Sequence, residues 1–267
     1  MKVSLITACY NSAGTIRTAI ESVLEQKGVA VEYIVVDGGS NDGTVDILKE
    51  YASRPDGPVI KWISERDRGM YDAINKGIAM ATGDIVGILN ADDVLASPDT
   101  LAHIAQAFGE RGTGNEEQVE CVYADIRFVK QGDSVEALRA ANTVRYCSAA
   151  KWKPWMFRFG AMVPHPSFYV RRECFARLGG YSLYYRICAD FELELRYLYL
   201  AKLKAVYLPE CVVVMRMGGA STAGWRSNVE INLEDLRALR ANGIWSCLPL
   251  IYLKYLFKIW GFVFKRG

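Results

Sequence analysis

The chain has no surplus of either charge, no Cys-x-x-Cys pair, no glycine-rich dinucleotide fingerprint and no uninterrupted apolar run of spanning length. Its 32 basic and 30 acidic residues leave a net charge of +2, so it lacks the one-sided field of a nucleic-acid binder, and nucleic acid is not an expected partner. The seven cysteines are scattered, and their odd number leaves at least one without a partner in the chain; that usage fits a reducing cytoplasm. The turn after the first strand reads Thr7-Ala8-Cys9-Tyr10-Asn11. A dinucleotide oxidoreductase requires Gly-x-Gly-x-x-Gly there, and a sugar nucleotidyltransferase usually has a glycine-rich loop with Lys or Arg. Met1-Lys2 leads straight into Val3-Ser4-Leu5-Ile6 without a signal-peptide apolar region, so nothing predicts export. No internal repeat or low-complexity stretch is present.

What is there is a composition of 51% hydrophobic and 23% charged residues over 267 positions, that of a folded domain near the upper size for one core. Apolar strand-like runs at Val3 to Ala8, Val31 to Val36, Val59 to Ile63 and Ile85 to Leu89 alternate with helical patterns. The first helix carries Ile16, Ala19, Ile20, Val23 and Leu24 after a cap at Ser12 or Thr15. Met70 to Ala81 forms another, and a third runs from Pro98 to about Phe108. This alternation predicts an α/β fold with a mostly parallel, Rossmann-like sheet covered by helices. Val119 to Ala124 and Ala205 to Leu208 read as later strands, and Arg172 to Leu178, Asp190 to Ala201 and Ser227 to Asn242 as helices. The stretch from about 109 to 160 shows no assignable pattern. The domain reading is 1–226 for the α/β body and 227–267 for C-terminal helices.

The tail from Trp245 to Phe264 is apolar and aromatic, but Lys254 and Lys258 interrupt it. A spanning helix needs about 20 predominantly apolar residues, and a central lysine costs roughly 2.5 to 3.5 kcal/mol on insertion. Spanning is disfavoured. Lys254 and Lys258 share a helical face apart from Leu253, Leu256, Phe257, Trp260 and Phe264, the make-up of a helix lying in a membrane interface through 245–266. A helix docked on the body, or on a second subunit of a homo-oligomer, has the same composition.

Four segments gather carboxylates, amides and glycines: Thr7 to Asn11; Asp37-Gly38-Gly39-Ser40-Asn41-Asp42-Gly43-Thr44; Arg66 to Gly77; and Asn90-Ala91-Asp92-Asp93. Three follow apolar β-branched runs, and in an open α/β sheet ligands bind beyond the carboxyl ends of the strands. The mixture suits a nucleoside diphosphate held through a divalent cation. Asp92 and Asp93 are oxygen donors of the kind a hard cation takes; their plain alternative is a turn with an Asx cap. Arg68, just before a helix start, can pair with diphosphate. Lys76, two turns further in, reads equally as a contact or a solvated charge.

In their order these segments resemble family 2 glycosyltransferases, inverting nucleotide-sugar enzymes of the GT-A fold. The resemblance covers residues 3 to 108 closely and resumes at His165-Pro166-Ser167-Phe168, Ala189-Asp190-Phe191-Glu192-Leu193 and Arg216-Met217-Gly218-Gly219-Ala220-Ser221. It implies that Asp93 binds Mn or Mg, with Asp92 on the ribose or a metal-bound water, although an Asp-x-Asp string is absent. It implies further that Asp37 contacts the base, usually uracil, together with the backbone of Thr7 and Ala8. Gly38 would let the ligand approach, and Asp67 would contact the base or orient Arg68. Asp190 would be the general base, a role that rests on a carboxylate positioned to take the acceptor hydroxyl proton. Its plain alternative is a helix N-cap, and Glu192 is the next candidate base. His165 would line the acceptor site, help at the metal, or lie in a proline-stiffened structural loop. Arg216 would close on a diphosphate or sit in a surface turn.

The implied activity is transfer of one sugar from a UDP-sugar to an acceptor hydroxyl. Polymerising relatives carry Gln-x-x-Arg-Trp and several spans, and no glutamine follows Gln131 here. By analogy the acceptor is a lipid-diphosphate-linked glycan of a bacterial surface polysaccharide, met at the cytoplasmic face of the inner membrane. A sugar nucleotidyltransferase and a non-catalytic sugar-nucleotide or glycan-binding module are the competing readings.

Overall fold

A computed structural model describes residues 1–54, 60–109, 118–218 and 225–255. β1 (Lys2–Cys9) and β2 (Ala30–Asp37) are apolar runs buried on both faces, which is why their patterns are continuous rather than alternating. α1 (Ile16–Leu24) joins them, with Thr15 at its N-cap position but no side-chain capping bond. α2 (Thr44–Ala52) leads to β3 (Ile60–Ser64), and α3 (Met70–Met80) to β4 (Ile85–Ile88). These four strands are parallel in the order β3-β2-β1-β4. The chain therefore winds outward from β1 and returns on its other side, leaving a switch point between the carboxyl ends of β1 and β4. Leu89 closes that point: its amide donates to Ile6 O at 2.9 Å, and its carbonyl accepts from Thr7 Oγ1 at 2.8 Å. α3 lies close over β1 because Gly77 has no side chain; a Cβ there would sit 2.4 Å from Ile6 Cγ2.

The second half turns the sheet mixed. β5 (Val94–Leu95) and α4 (Thr100–Gly109) precede β6 (Cys121–Val129), α5 (Val135–Ala140) and β7 (Arg145–Cys147). A 3₁₀ turn spans Pro154–Phe159, followed by β8 (Tyr169–Arg171) and α6 (Arg172–Leu178). α7 (Ala189–Glu194) passes into a π-helical turn over Leu195–Leu200, then β9 (Ala205–Arg216), α8 (Trp225–Ala241) and α9 (Leu248–Tyr252). β8 runs antiparallel to β4 and β6, β9 parallel to β6, and β5 antiparallel to β9.

Three differences from the sequence reading have physical causes. β9 runs eight residues past Leu208, because the register with β6 slips around Asp125 and lets Pro209 and Glu210 bulge from the ladder. The expected single helix from Asp190 changes to π geometry after Glu194. The stretch from about 109 to 160 holds β6, whose first half is the strand expected over Val119 to Ala124, and α5, β7 and the 3₁₀ turn, which are too short for a periodic signal; residues 110–117 lie outside the described set.

The C-terminal helices join the main core. Leu236, Leu239, Ile244 and Ile251 belong to the same buried cluster as Ile6, Ile34 and Phe191. Lys254 corrects the interfacial-helix pattern: it is buried, and its Nζ donates to buried Asp235 of α8 at 2.6 Å. A lysine neutralised inside the protein cannot present charge to lipid headgroups. Lys258 and the rest of the tail from 256 lie outside the described residues. None of the described helices is long and apolar enough to cross a membrane. None of the seven cysteines forms a disulfide.

Candidate active site

The residues singled out by sequence fall into a donor end, beyond β1, β2 and β4, and an acid end at α7. At the donor end Thr7 is buried, tied to Leu89 and, at 3.0 Å, to Tyr33 Oη. Asp37 ends β2 opposite Cys9 of β1 and Ser64 of β3. Its carboxylate is crowded with donors. Oδ2 accepts from Ser64 Oγ at 2.6 Å, Ser40 N at 3.0 Å and Gly39 N at 3.1 Å, while Oδ1 accepts from the Ser40 hydroxyl and faces Cys9 Sγ. Burial would raise its pKa, but these bonds outweigh burial and lower it. Asp37 is thus a fixed anion that shapes the Gly38-Gly39-Ser40 turn, with no lone pair left open for a base in this conformation. Gly38 matters sterically: a Cβ would come 3.1 Å from Asp67 Oδ2.

Asp67 is held by Lys76, whose ammonium also reaches Glu65 at 2.8 Å and the Arg66 carbonyl at 3.3 Å. The ambiguous lysine is therefore an anchor for the segment before α3. Arg68 differs. Its side chain is 78% exposed, 3.5 Å from Asp72, and stands free of the body ahead of the α3 N-terminus, where it can swing to a phosphate.

Asp92 and Asp93 follow β4. Asp92 is partly exposed, whereas Asp93 is buried, accepting from Asn90 Nδ2 at 2.8 Å and from the Arg216 amide at 3.2 Å. Burial first, and then the charge of Asp92, push the Asp93 carboxyl up to about 8. Two carboxylates in one low-dielectric loop carry more negative charge than their partners offset, and a cation relieves that excess. No group of three metal-ligating side chains occurs among the described residues, so these two can supply part of a coordination shell that phosphate and water complete. The Arg216 guanidinium donates to the Asp92 carbonyl and, at 3.0 Å each, to Thr18 Oγ1 and Gly132 O. Its hydrogen bonds hold the acidic loop. The following glycine pair extends beyond Gly218 into residues 219–224, outside the described set.

At the acid end Asp190 lies in the first turn of α7, not at its cap, which is Cys188. Oδ1 accepts from the Phe191 amide at 2.8 Å and lies 3.1 Å from Tyr71 Oη of α3; the same hydroxyl reaches the Ile187 carbonyl. Oδ2 accepts no hydrogen bond from a described residue, and the residue is partly exposed. A carboxylate with one oxygen anchored and the other open is what a positioned proton acceptor needs. The loop before α7 is fixed from α8: the Glu234 carboxylate accepts from Arg186 N at 3.0 Å and from Ile187 N and Cys188 N at 2.9 Å. Glu192, on the opposite face of α7, is paired with Arg196 at 2.7 Å and borders a separate cleft of about 570 Å³ with Tyr185, Arg237 and Arg240. His165 has its side chain nine-tenths buried, with Nε2 at 3.2 Å from Tyr181 Oη and Nδ1 turned to Glu194.

Sequence reading missed Tyr71, Asn75, Tyr181, Glu194 and Glu234. Asn75 clamps Tyr181 through both backbone groups, at 2.9 and 2.8 Å, and the Tyr181 ring stacks on Tyr71 with centroids 5.5 Å apart. Tyr71 and Asn75 lie four apart in a motif already noted, so their shared helical face was available as a signal. Nothing local marks Glu234.

Comparison with known proteins agrees with this layout. Residues 4–144 match the family described as Glycosyl transferase family 2. A PGL/p-HBAD biosynthesis glycosyltransferase of Mycobacterium bovis (strain BCG / Pasteur 1173P2) is 32% identical over 193 residues, 72% of this chain and 68% of the relative. Among solved structures, the mannosyltransferase PcManGT from Pyrobaculum calidifontis, in complex with GDP-Man and Mn2+, superposes with a TM-score of 0.63 at 22% identity, covering 98% of this chain and 72% of that one. S. aureus TarS 1-349 in complex with UDP gives 0.60 at 17% identity, covering 88% and 66%. The chain spans 40% of a longer TarS chain. These neighbours share the GT-A fold. With the family match over the strands that carry the donor-end motifs, and a relative at 32% identity along most of the chain, the protein is a glycosyltransferase and belongs to glycosyl transferase family 2.

Proposed function

We propose that this enzyme transfers a single sugar, with inversion, from a UDP-sugar to an acceptor hydroxyl, Asp190 acting as the general base. The observation that carries the reading is the Asp190 carboxylate, anchored through Oδ1 with Oδ2 open. A hydroxyl attacking opposite the departing diphosphate loses its proton to that oxygen, a contribution of about 10² to 10⁴ in rate. Arg68 turns toward the leaving diphosphate and offsets its growing charge.

The nucleotide lies over the crevice beyond β1 and β4. Thr7 and Ala8 offer backbone groups to the base, while Asp37 acts by fixing the Gly38 turn and Asp67 borders the pocket. Asp92 and Asp93 would hold a divalent cation, Mn or Mg, which would supply charge neutralisation for the diphosphate. The raised Asp93 carboxyl supports this part of the reading. The structural neighbours named with UDP and with GDP-Man and Mn2+ support the donor class.

The acceptor is a glycan on a lipid diphosphate, met at the cytoplasmic membrane face. Exposed Trp245 and Tyr252 and the aromatic tail sequence support this part of the reading. The test is a panel of nucleotide-sugars assayed for protection against thermal unfolding with and without Mn or Mg, then for sugar release. One nucleotide-sugar should stabilise the protein in a cation-dependent way. Absence of protection by any UDP-sugar overturns the donor assignment.

A further inference from the structure

One cluster beside Asp190 is not used by the reaction as described. Glu194 lies four residues after Asp190, on the same face of α7, and its side chain is fully buried. Neither carboxyl oxygen has a hydrogen-bond partner meeting ordinary geometry, and neither does His165 Nδ1. The two unpartnered groups face each other, with Nδ1 3.6 Å from Glu194 Oε1. The other imidazole nitrogen, Nε2, is 3.2 Å from Tyr181 Oη, and the His165 and Tyr181 rings meet edge to face. Tyr181 in turn stacks on Tyr71, whose hydroxyl reaches Asp190.

We propose that Glu194 is kept as the neutral acid and donates a hydrogen bond through its O–H to His165 Nδ1, so that neutral His165 presents Nε2–H to Tyr181 and the pair acts as a positioning device behind Asp190. The assignment rests on the proposed role of Asp190, and its first step is electrostatic. An ionised Glu194 would place a buried anion one helical turn from the Asp190 carboxylate, with the imidazole the sole cation-forming group within ion-pair range among the described residues. Burial first, and the charge of Asp190 second, raise the Glu194 carboxyl well above its ordinary range; burial lowers His165. The Val163 amide eases the first effect without reversing it. A buried O–H must find an acceptor, and Nδ1 is the unpartnered one facing it. A small torsion closes the gap to hydrogen-bond distance.

The consequence for the base follows from charge. A neutral imidazole adds no positive charge behind the Asp190 carboxylate, whereas an imidazolium would place a competing cation there. The fixed tautomer also sets the Tyr181 hydroxyl as acceptor from Nε2–H, which holds the ring against which Tyr71 packs.

The chain has two histidines, so their nitrogen resonances in the ¹⁵N-labelled full-length protein are separable. His165 should show an unprotonated Nδ1 and a protonated Nε2 from about pH 5.5 to 8. Glu194→Gln, which keeps an N–H donor for Nδ1, should preserve the tautomer and stay within about threefold of parental kcat. Glu194→Leu should lose the tautomer bias and about tenfold or more in kcat at unchanged donor Kd. A protonated Nδ1 in the parent protein overturns the proposal, as does a folded Glu194→Leu with parental kcat. If the Leu variant fails to fold, the parental tautomer and the Gln variant decide. If no preparation transfers or hydrolyses a nucleotide-sugar, the reaction reading has failed, while the tautomer still reports on the pair.

Discussion

Tyr71 Oη lies 3.1 Å from Asp190 Oδ1 across 119 residues of sequence, so the helix that opens behind the exposed Arg68 also steadies Asp190. In the proposed reaction α3 is a rigid spacer between donor and acceptor chemistry. Tyr71→Phe removes the hydroxyl and keeps the stacked ring. It should lower kcat about tenfold, leave donor affinity unchanged and cost about 1 kcal/mol of stability, the net worth of one hydrogen bond. Equal kcat in parent and variant would show that Asp190 is oriented by its helix alone.

Asp190→Asn keeps the size of the side chain and an acceptor for the Phe191 amide but removes the proton-accepting charge. The expected result is a fall in kcat of about 10² or more with donor Kd and thermal midpoint retained. Single-turnover transfer at the parental rate would remove Asp190 from the base role. Glu192 is a poor replacement, since it faces away from Asp190 and is engaged by Arg196.

The cluster beyond the strand ends was legible because its polar residues sit where strands end, and strand ends are written locally. Val3 to Ala8 and Ile85 to Leu89 announce β1 and β4, and the polar residues after each fall in one crevice once the strands are parallel. The acid end was legible only as a single residue. Asp190 stood out, but Tyr71 reaches it from 119 positions away and Glu234 fixes the loop before it from 46 to 48 positions away, and such contacts leave no local period. The antiparallel half of the sheet escaped for a related reason: β5 has two residues and β8 three, below the length at which alternation can be recognised. Lys254 shows the converse error. Its place in an aromatic, basic tail suggested a lipid-facing charge, and the buried partner that overrules this, Asp235, lies on another helix.

Cation binding should depend on pH through Asp93. Its folded-state pKa, about 8, lies above the ordinary carboxylate value of 3.8, so its proton stabilises the fold at low pH and that contribution is lost as pH rises through about 8. A cation competes with the proton. Apparent affinity for Mn should therefore rise as much as about tenfold per pH unit below the Asp93 pKa and level off above it. The check is the gain in thermal midpoint with Mn, larger at about pH 8.5 than at about pH 6, with Asp93→Asn flattening the difference. A gain independent of pH would place the cation elsewhere.

The C-terminal helices offer the cleanest separation of packing from membrane contact. Lys254 and Asp235 are each more than nine-tenths buried and 2.6 Å apart. Removing one member of such a pair typically costs about 3 to 5 kcal/mol, because the other charge stays buried alone. Burial already raises the Asp235 carboxyl, with Lys254 opposing that rise, so without the lysine Asp235 takes up a proton more readily. Lys254→Met should then lose about 3 kcal/mol in chemical unfolding near neutral pH and less in acid, and the double variant with Asp235→Leu should recover most of the loss. A residue facing lipid headgroups behaves in the opposite way. For it the same substitution would leave unfolding unchanged and weaken binding to anionic vesicles, and that outcome would undo the docked arrangement of α8 and α9.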